Sequence, residues 1–257
     1  MCRHLAYVGP PRTLASLLYE PPHSLEQQSW KPLRQRAGAM NADGWGVGWW
    51  DPSVRPEPAR YRTAAPMWTD RSFRSVAEVV RAGAFMAAVR SATPPSPIVE
   101  TGNAPFVAGE WLFSLNGYVR EFRGPVGHAL RGEVSERRSI GIDGSSDSEV
   151  LFALALDALD DGASPEQALA AVITNATKRA ESFLNLMLHD GHTIVATTWG
   201  NSLSTLQGAG LAEGGVLVAS EPLDERHEWV DVPDHHVVRA SGTEVQVSPL
   251  SDHGGPS

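Results

Sequence analysis

The single cysteine of this 257-residue chain is its second residue, directly after the initiator methionine. Initiator methionine is normally removed when the next side chain is small, and loss of Met1 would leave a thiol and a free α-amine on Cys2. Because an unprotonated amine can take the proton of a neighbouring thiol, such a residue is a self-contained nucleophile. The alternative is a small buried residue that begins a strand. The position of Cys2 therefore allows both interpretations, and other segments must decide between them.

Three further segments carry residues that a hydrolase built on Cys2 would need. Arg90 ends an apolar run and either reaches solvent or holds a carboxylate with its two-pronged guanidinium group. Asn116-Gly117 is a strong turn signal, and an Asn amide followed by a backbone N–H also supplies two donors for an oxyanion. Asp147 is either a helix N-cap or a carboxylate for a substrate ammonium group. Together these residue types are typical of amide hydrolysis.

The segment from Asn41 to Trp50 is rich in glycine and tryptophan. Its G-x-G pattern is not followed by a helix, and the third glycine of a dinucleotide-binding fingerprint is misplaced. We expect the glycines that flank Trp45 to let the backbone approach closely around a pocket.

Composition excludes several classes of function. A net charge of −9 argues against nucleic acid as a partner, because a phosphate-binding surface needs clustered Lys and Arg. One cysteine forms no internal disulfide, and residues 2–20 contain no apolar run long enough for a signal peptide or a membrane span. We therefore expect a cytoplasmic protein. His235-His236 would point to opposite faces of a strand, so we predict no metal site, and no organic cofactor is implied.

Residue patterns predict a layered α+β domain. Strands are predicted near 3–9, 44–50, 84–90, 111–116 (ending in a turn at Gly117), 183–188, 192–198, 215–219, 236–239 and 244–248. Helices are predicted at 70–82, 147–159 and 165–178, and loops at 51–58, 94–97 and 123–146. We expect one domain over residues 2–250 and a disordered tail over 251–257.

Taken together, these motifs resemble the glutaminase domain of class II glutamine amidotransferases, which are N-terminal-nucleophile hydrolases. The resemblance covers about residues 1–240 and rests on motifs in matching order and spacing, namely Cys2-Arg3, Asn41 to Trp50, Arg90-x-x-Thr93, Ala104-Pro105-Phe106, Asn116-Gly117 and Asp147-Ser148-Glu149. It implies a four-layer αββα sandwich of two packed antiparallel sheets.

The resemblance also implies roles for individual residues. Cys2 would be the nucleophile, and Asn116 with Gly117 would form the oxyanion hole. Arg90 would bind the α-carboxylate of the substrate and Asp147 its α-ammonium group, with Thr93 lining the same pocket.

Two positions depart from the family pattern. Many relatives have His before the Asn-Gly pair, where this chain has Leu115. Pro94-Pro95 follows the Arg-x-x-Thr unit in place of the usual Gly or His. The first departure leaves the implied chemistry intact, and the second predicts a reshaped loop above the leaving group.

Within the family, several segments resemble a stand-alone type that removes a γ-glutamyl group by hydrolysis. They are Met1 to Leu5, Met40 to Trp50, Thr197 to Gly200, Ala219 to Pro222 and Val247 to Leu250. The resemblance implies a small-molecule γ-glutamyl substrate and no obligatory synthase subunit. Two alternatives remain open, namely a glutaminase subunit that supplies ammonia to a separate synthase, and a non-catalytic binding module.

Tryptophan is unusually frequent, with eight Trp against four Tyr. The substrate of the stand-alone type is implied to carry a trimethylammonium group, which a protein can hold only by charge or by aromatic faces. We therefore expect Trp45, Trp30 or Trp68 to face that group beside an acidic residue. The alternative is ordinary core packing.

Overall fold

The computed structural model describes residues 2–35, 38, 40–93 and 96–256. Its strands, in chain order, are β1 (Arg3–Thr13), β2 (Trp45–Trp49), β3 (Ala59–Thr63), β4 (Arg81–Val89), β5 (Phe106–Ala108), β6 (Trp111–Val119), β7 (Ser182–His189), β8 (Thr193–Thr197), β9 (Ser204–Gln207), β10 (Val216–Ala219), β11 (Val230–Asp231), β12 (His236–Ser241) and β13 (Glu244–Pro249). The helices are α1 (Ala15–Leu18), α2 (Leu25–Trp30), α3 (Arg71–Val79), α4 (Pro125–Gly132), α5 (Glu136–Ser139), α6 (Asp147–Asp160) and α7 (Pro165–Thr177). Short 3-10 turns cover Met67–Thr69, Glu100–Gly102, Gly210–Ala212 and Leu250–His253.

The strands form two antiparallel sheets. The first sheet has the order β11-β9-β10-β1-β4-β2-β3, and the second has the order β13-β12-β8-β7-β6-β5. Strand β1 is central to the first sheet, with β4 on one side and β10 on the other. The residue that begins β1 is thus surrounded by chain from distant parts of the sequence.

Alternation of side chains along β1 explains the layering. Leu5 and Tyr7 pack against α1, α2 and α3 in one apolar cluster, whereas Ala6 and Val8 face the second sheet in another. The opposite face of the second sheet packs on α6 and α7. These clusters fill the interfaces between four layers, which confirms the predicted αββα sandwich.

The predicted turn at Asn116-Gly117 is wrong. Strand β6 continues through this pair to Val119, with Asn116 opposite Asn185 and Gly117 opposite Leu184. Packing overrides the local turn signal, because side chains on both sides of the pair remain buried in the same cluster. Glycine serves close packing here, since a Cβ at this position would overlap the carbonyl oxygen of Phe183.

Other differences lie in polar segments. Helices α4 and α5 occupy part of the predicted loop 123–146. The edge strand β3 was not predicted, because Arg60 and Arg62 interrupt the apolar pattern on which strand prediction depends. The expected disordered tail instead begins as a 3-10 turn, because Leu250 is buried and its carbonyl accepts the N–H of Gly255. The loop predicted at Pro94-Pro95 lies outside the described residues.

No helix in the described part of the chain is both long enough and apolar enough to cross a membrane.

Candidate active site

Two contacts between the sheets fix how β1 runs past β6. His189 lies opposite Leu112 of β6, and its Nε2 is 3.2 Å from the carbonyl oxygen of Tyr7. Nearer the start of β1, Nδ1 of His4 is 3.1 Å from Oγ of Ser114. The two strands therefore cross with opposite directions, so that the end of β6 lies near the beginning of β1.

Continuing this register brings Cys2 level with Asn116. Cys2 shares a face with His4, and Asn116 shares a face with Ser114, because alternate residues of a strand point the same way. Both faces look into the space between the sheets. Burial, assisted by the charge of Arg3, lowers the pKa of His4 to about 3, so this contact joins two neutral side chains at neutral pH. Cys2 and Gly117, the residue after Asn116, line the same cavity, in agreement with this register.

The side chain of Asn116 is fully buried, and neither its amide nitrogen nor its oxygen has a partner among the described residues. Its backbone carbonyl accepts a hydrogen bond of 3.0 Å from Nδ2 of Asn201, which fixes the strand at this point. An unpaired buried amide is costly, on the order of 1–3 kcal/mol. The amide of Asn116 is therefore available to a ligand that can accept its N–H groups.

A buried ion pair holds the first residues of the chain. Nη1 of Arg3 donates to the carbonyl oxygen of Cys2 at 3.0 Å, and Nε of Arg3 lies 2.6 Å from Oε1 of Glu221. Burial lowers the pKa of Arg3, against the opposing effect of Glu221. For Glu221, burial is outweighed by a hydrogen bond from His23, by the charge of Arg3 and by the N–H of Leu33, so its pKa is lowered. With its pKa below the ordinary carboxyl value, Glu221 is an anion at neutral pH.

Ser220 adds a second connection to the same end of β1. Its hydroxyl accepts the N–H of His4 at 3.0 Å, and its own N–H donates to the carbonyl oxygen of His4 at 2.9 Å. Sequence reasoning noted the run Ala219 to Pro222 only as part of a resemblance. It missed Ser220 and Glu221 as positioning residues, although a charged residue two positions after an apolar strand was a usable signal.

The segment around Asp43 holds the end of β4. The N–H of Asp43 donates to the carbonyl oxygen of Arg90 at 3.0 Å, and the N–H of Arg90 donates to Gly44 at 2.8 Å. The Asp43 carboxylate then accepts the N–H of Ala92 at 2.7 Å. These bonds fix the backbone on both sides of Arg90.

The guanidinium group of Arg90 makes no ion pair with any described residue. It donates to the carbonyl oxygen of Pro97 at 3.1 Å and lies against Gly102, where a Cβ would come within 2.8–3.0 Å of it. A half-buried guanidinium without a carboxylate partner is available to a substrate carboxylate.

Asp147 is not the N-cap of α6. Ser146 occupies that position and forms a capping box with Glu149. The carboxylate of Asp147, in the first turn, accepts the N–H groups of Val119 at 2.9 Å and Ser148 at 2.8 Å. Burial raises its pKa although these hydrogen bonds oppose the shift. Asp147 makes no ion pair within the described chain, so the carboxylate is available to a cation.

A cavity of about 280 Å³ brings these residues together. Cys2, Arg90, Gly117 and Asp147 all line it, with Thr93 at its exposed rim. Asn116 lies between two lining residues of β6. The cavity thus combines a thiol, a free guanidinium group and a free carboxylate.

The structure contradicts the prediction for the tryptophans. Trp45 is fully buried on the helix-facing side of β2, where it packs against Tyr61 and Phe73. Alternation along β2 points Trp45 away from the space between the sheets. Trp30 and Trp68 also lie outside the cavity lining, and no tryptophan of the described chain contributes to it.

Comparisons with known proteins agree with this geometry. Residues 22–209 match the model of the family described as class II glutamine amidotransferases. The chain is 39% identical to the gamma-glutamyl-hercynylcysteine sulfoxide hydrolase of Mycobacterium tuberculosis, with all of both chains covered. It is 40% identical to the protein of that name in Mycolicibacterium smegmatis, over 97% of this chain and all of the relative. A solved class II glutamine aminotransferase domain protein from Silicibacter pomeroyi superposes with a TM-score of 0.69 at 25% identity, over 97% of this chain and 99% of that one. The chain belongs to the class II glutamine amidotransferases.

Proposed function

We propose that this protein hydrolyses the γ-glutamyl amide bond of γ-glutamyl-hercynylcysteine sulfoxide. The products are glutamate and hercynylcysteine sulfoxide, and the reaction belongs to ergothioneine biosynthesis. The full-length similarity to hydrolases of that name supports the substrate. The reaction takes place in the cytoplasm and needs no synthase subunit and no cofactor.

The observation that carries the proposal is the pairing of free charges beside Cys2. Arg90 and Asp147 line one cavity and lack ion-pair partners among the described residues, so together they complement the α-carboxylate and α-ammonium groups of a glutamyl end. A glutamyl group anchored at both charges presents its γ-carbonyl to a nucleophile. Thr93 contributes a hydroxyl at the rim of the same cavity.

The first half of the reaction forms a thioester. With Met1 removed, the α-amine of Cys2 takes the thiol proton, and the sulfur attacks the γ-carbonyl carbon. The Asn116 amide and the Gly117 N–H stabilise the resulting oxyanion, and a donor of this kind contributes about 3–4 kcal/mol in comparable hydrolases. The protonated amine then gives its proton to the departing nitrogen, and the C–N bond breaks.

The second half clears the thioester. The same α-amine takes a proton from water, and the hydroxide oxygen attacks the acyl carbon. Collapse of this intermediate breaks the C–S bond, releases glutamate and returns the proton to the sulfur. Every proton is carried by the amine of Cys2, so removal of Met1 is a requirement of the mechanism.

The test is product analysis with purified protein, supplied separately with γ-glutamyl-hercynylcysteine sulfoxide and with glutamine. We expect release of glutamate from the sulfoxide without any added protein, and far slower release from glutamine. Cys2→Ala abolishes turnover while preserving substrate binding, and Cys2→Ser is nearly as inactive because a hydroxyl is the weaker nucleophile. Mass spectrometry of the active protein will find Met1 absent.

Two results would contradict the proposal. Substantial turnover by Cys2→Ala would remove Cys2 from the mechanism. Efficient turnover of glutamine only after addition of a synthase would instead identify an ammonia-supplying subunit.

A further inference from the structure

The second sheet continues past the level of the nucleophile. On the face that carries Asn116, the next side chain along β6 is Tyr118, and it lies directly opposite Phe183 of β7. The two ring centroids are 5.4 Å apart, and both side chains are half-buried. Because β1 begins at Arg3, this pair of rings lies beyond the end of the strand that presents Cys2.

A pair of opposite charges follows the rings on the same face. The N–H of Arg120 donates to the carbonyl oxygen of Glu181 at 3.2 Å, which extends the β6–β7 pairing by one step. Nη2 of Arg120 and Oε2 of Glu181 are 3.0 Å apart, with 56% and 60% of the two side chains exposed. Such an exposed ion pair contributes little to stability, so a ligand can open it at little cost.

Moving outwards from Cys2, the face therefore presents an amide, then two aromatic rings, then a cation beside an anion. We propose that Tyr118, Phe183, Arg120 and Glu181 form a subsite for the betaine head of the leaving half. The trimethylammonium group lies on the rings near Glu181, and its neighbouring carboxylate pairs with Arg120. This inference rests on the proposed function.

A quaternary ammonium group binds best to a surface of aromatic rings beside a carboxylate. The group donates no hydrogen bond, so aromatic faces and a carboxylate are its available partners. Phe122 also lines the cavity, but the guanidinium group of Arg131 already covers its ring at 5.1 Å from the centroid. Tyr118 also lines the cavity and Phe183 lies directly opposite it, and within the described part of the chain no cation covers either ring.

The distances agree with this assignment. Two residues along a strand span roughly 7 Å and four span roughly 14 Å. The sulfoxide and imidazole of the leaving half separate its amide nitrogen from the trimethylammonium group by on the order of 10 Å. An amide held level with Asn116 thus places the betaine head between Tyr118 and Arg120.

The test compares three substrates in kcat/KM measurements. They are the sulfoxide substrate, the same compound with hydrogen in place of the trimethylammonium group, and glutamine. Tyr118→Leu and Phe183→Leu each lower kcat/KM for the full substrate by about 2- to 30-fold, mainly through KM. Both variants retain wild-type turnover of the other two compounds, which also shows that they fold. Tyr118→Phe keeps the ring and the preference for the trimethylammonium group.

A matched pair of arginines tests the carboxylate. Arg123 lines the same cavity but lies outside the β6–β7 pairing. Arg120→Gln lowers kcat/KM for the full substrate about threefold to tenfold, whereas Arg123→Gln leaves it within twofold.

The outcomes separate this inference from the proposed function. If wild-type protein turns over the sulfoxide but the Leu variants lose equally on all three substrates, the rings are packing residues and the subsite is wrong. Equal losses in Arg120→Gln and Arg123→Gln remove Arg120 from it. If wild-type protein does not turn over the sulfoxide at all, the proposed function is wrong and the subsite falls with it.

Discussion

Arg3 begins β1 opposite Val89, the last residue of β4, and Arg90 directly follows Val89, yet the two guanidinium groups have opposite surroundings. Arg3 is about 1% exposed and contacts the equally buried Glu221. Arg90 is half-buried at a cavity and makes no ion pair with a described residue. The buried ion pair makes the first arginine part of the scaffold, whereas the lack of an ion-pair partner among the described residues makes the second available to a ligand. The presence or absence of a carboxylate partner, and not the residue type, decides whether an arginine stabilises the fold or can bind a ligand.

Breaking the buried pair gives the largest expected effect. Arg3→Leu leaves Glu221 buried without its cation, so we expect the free energy of unfolding to fall by about 3–5 kcal/mol in urea titrations. Adding Glu221→Leu to this variant recovers much of the loss, because the uncompensated charge is gone. A double variant whose loss equals the sum of the two single losses would show that the charges act independently.

Substitution of the unpaired arginine affects binding instead. Arg90→Lys replaces a two-pronged donor with a point charge, so KM rises about 10- to 100-fold for every γ-glutamyl substrate. The free energy of unfolding stays within about 0.5 kcal/mol of wild type. Steady-state kinetics on the sulfoxide and on glutamine measure the first effect, and urea titration measures the second. A change in preference between leaving groups, without a change at the glutamyl end, would contradict the assignment of Arg90.

Asp147 is the unpaired anion of the cavity, and we expect its substitution to have the smallest effect of the three on the free energy of unfolding. Burial raises its pKa in the folded protein, so the folded state holds more protons than the unfolded state between the ordinary carboxyl pKa and the raised value. The free energy of unfolding therefore falls as pH rises through that window. Asp147→Asn removes this part of the fall, while KM increases for all γ-glutamyl substrates. Urea titrations at several pH values detect the change, and an unaltered pH dependence in the variant would refute the shift.

Local sequence predicted the layers well because alternation and helical periodicity are local properties. The helices at 147–159 and 165–178 were placed almost as observed, since Ser146 and Ser164 each begin a capping box. Arg90 and Asp147 were predicted from their resemblance to a family motif, and one cavity brings them together with Cys2.

The remaining features depend on contacts between distant segments. Glu221 became recognisable as a positioning residue only through its contact with Arg3. Trp45 lies near the pocket motifs in the sequence, but the alternation of β2 places its ring on the helix-facing side of the sheet. The turn signal of Asn116-Gly117 predicts that the strand ends before Tyr118, so the local sequence does not place Tyr118 on the sheet.

The connection between the start of β1 and Ser220 spans 216 positions of sequence. A chain growing from its N-terminus can pair β1 with β4 once residue 89 has been made, but Ser220 and Glu221 can reach the start of β1 only after β10 is complete. The contacts that hold the backbone of Arg3 and His4 on the β10 side are therefore the last to be completed. A chain cut short before Ser220 keeps the pairing with β4 but lacks the ion pair of Arg3 and both hydrogen bonds of Ser220 to His4 beside Cys2.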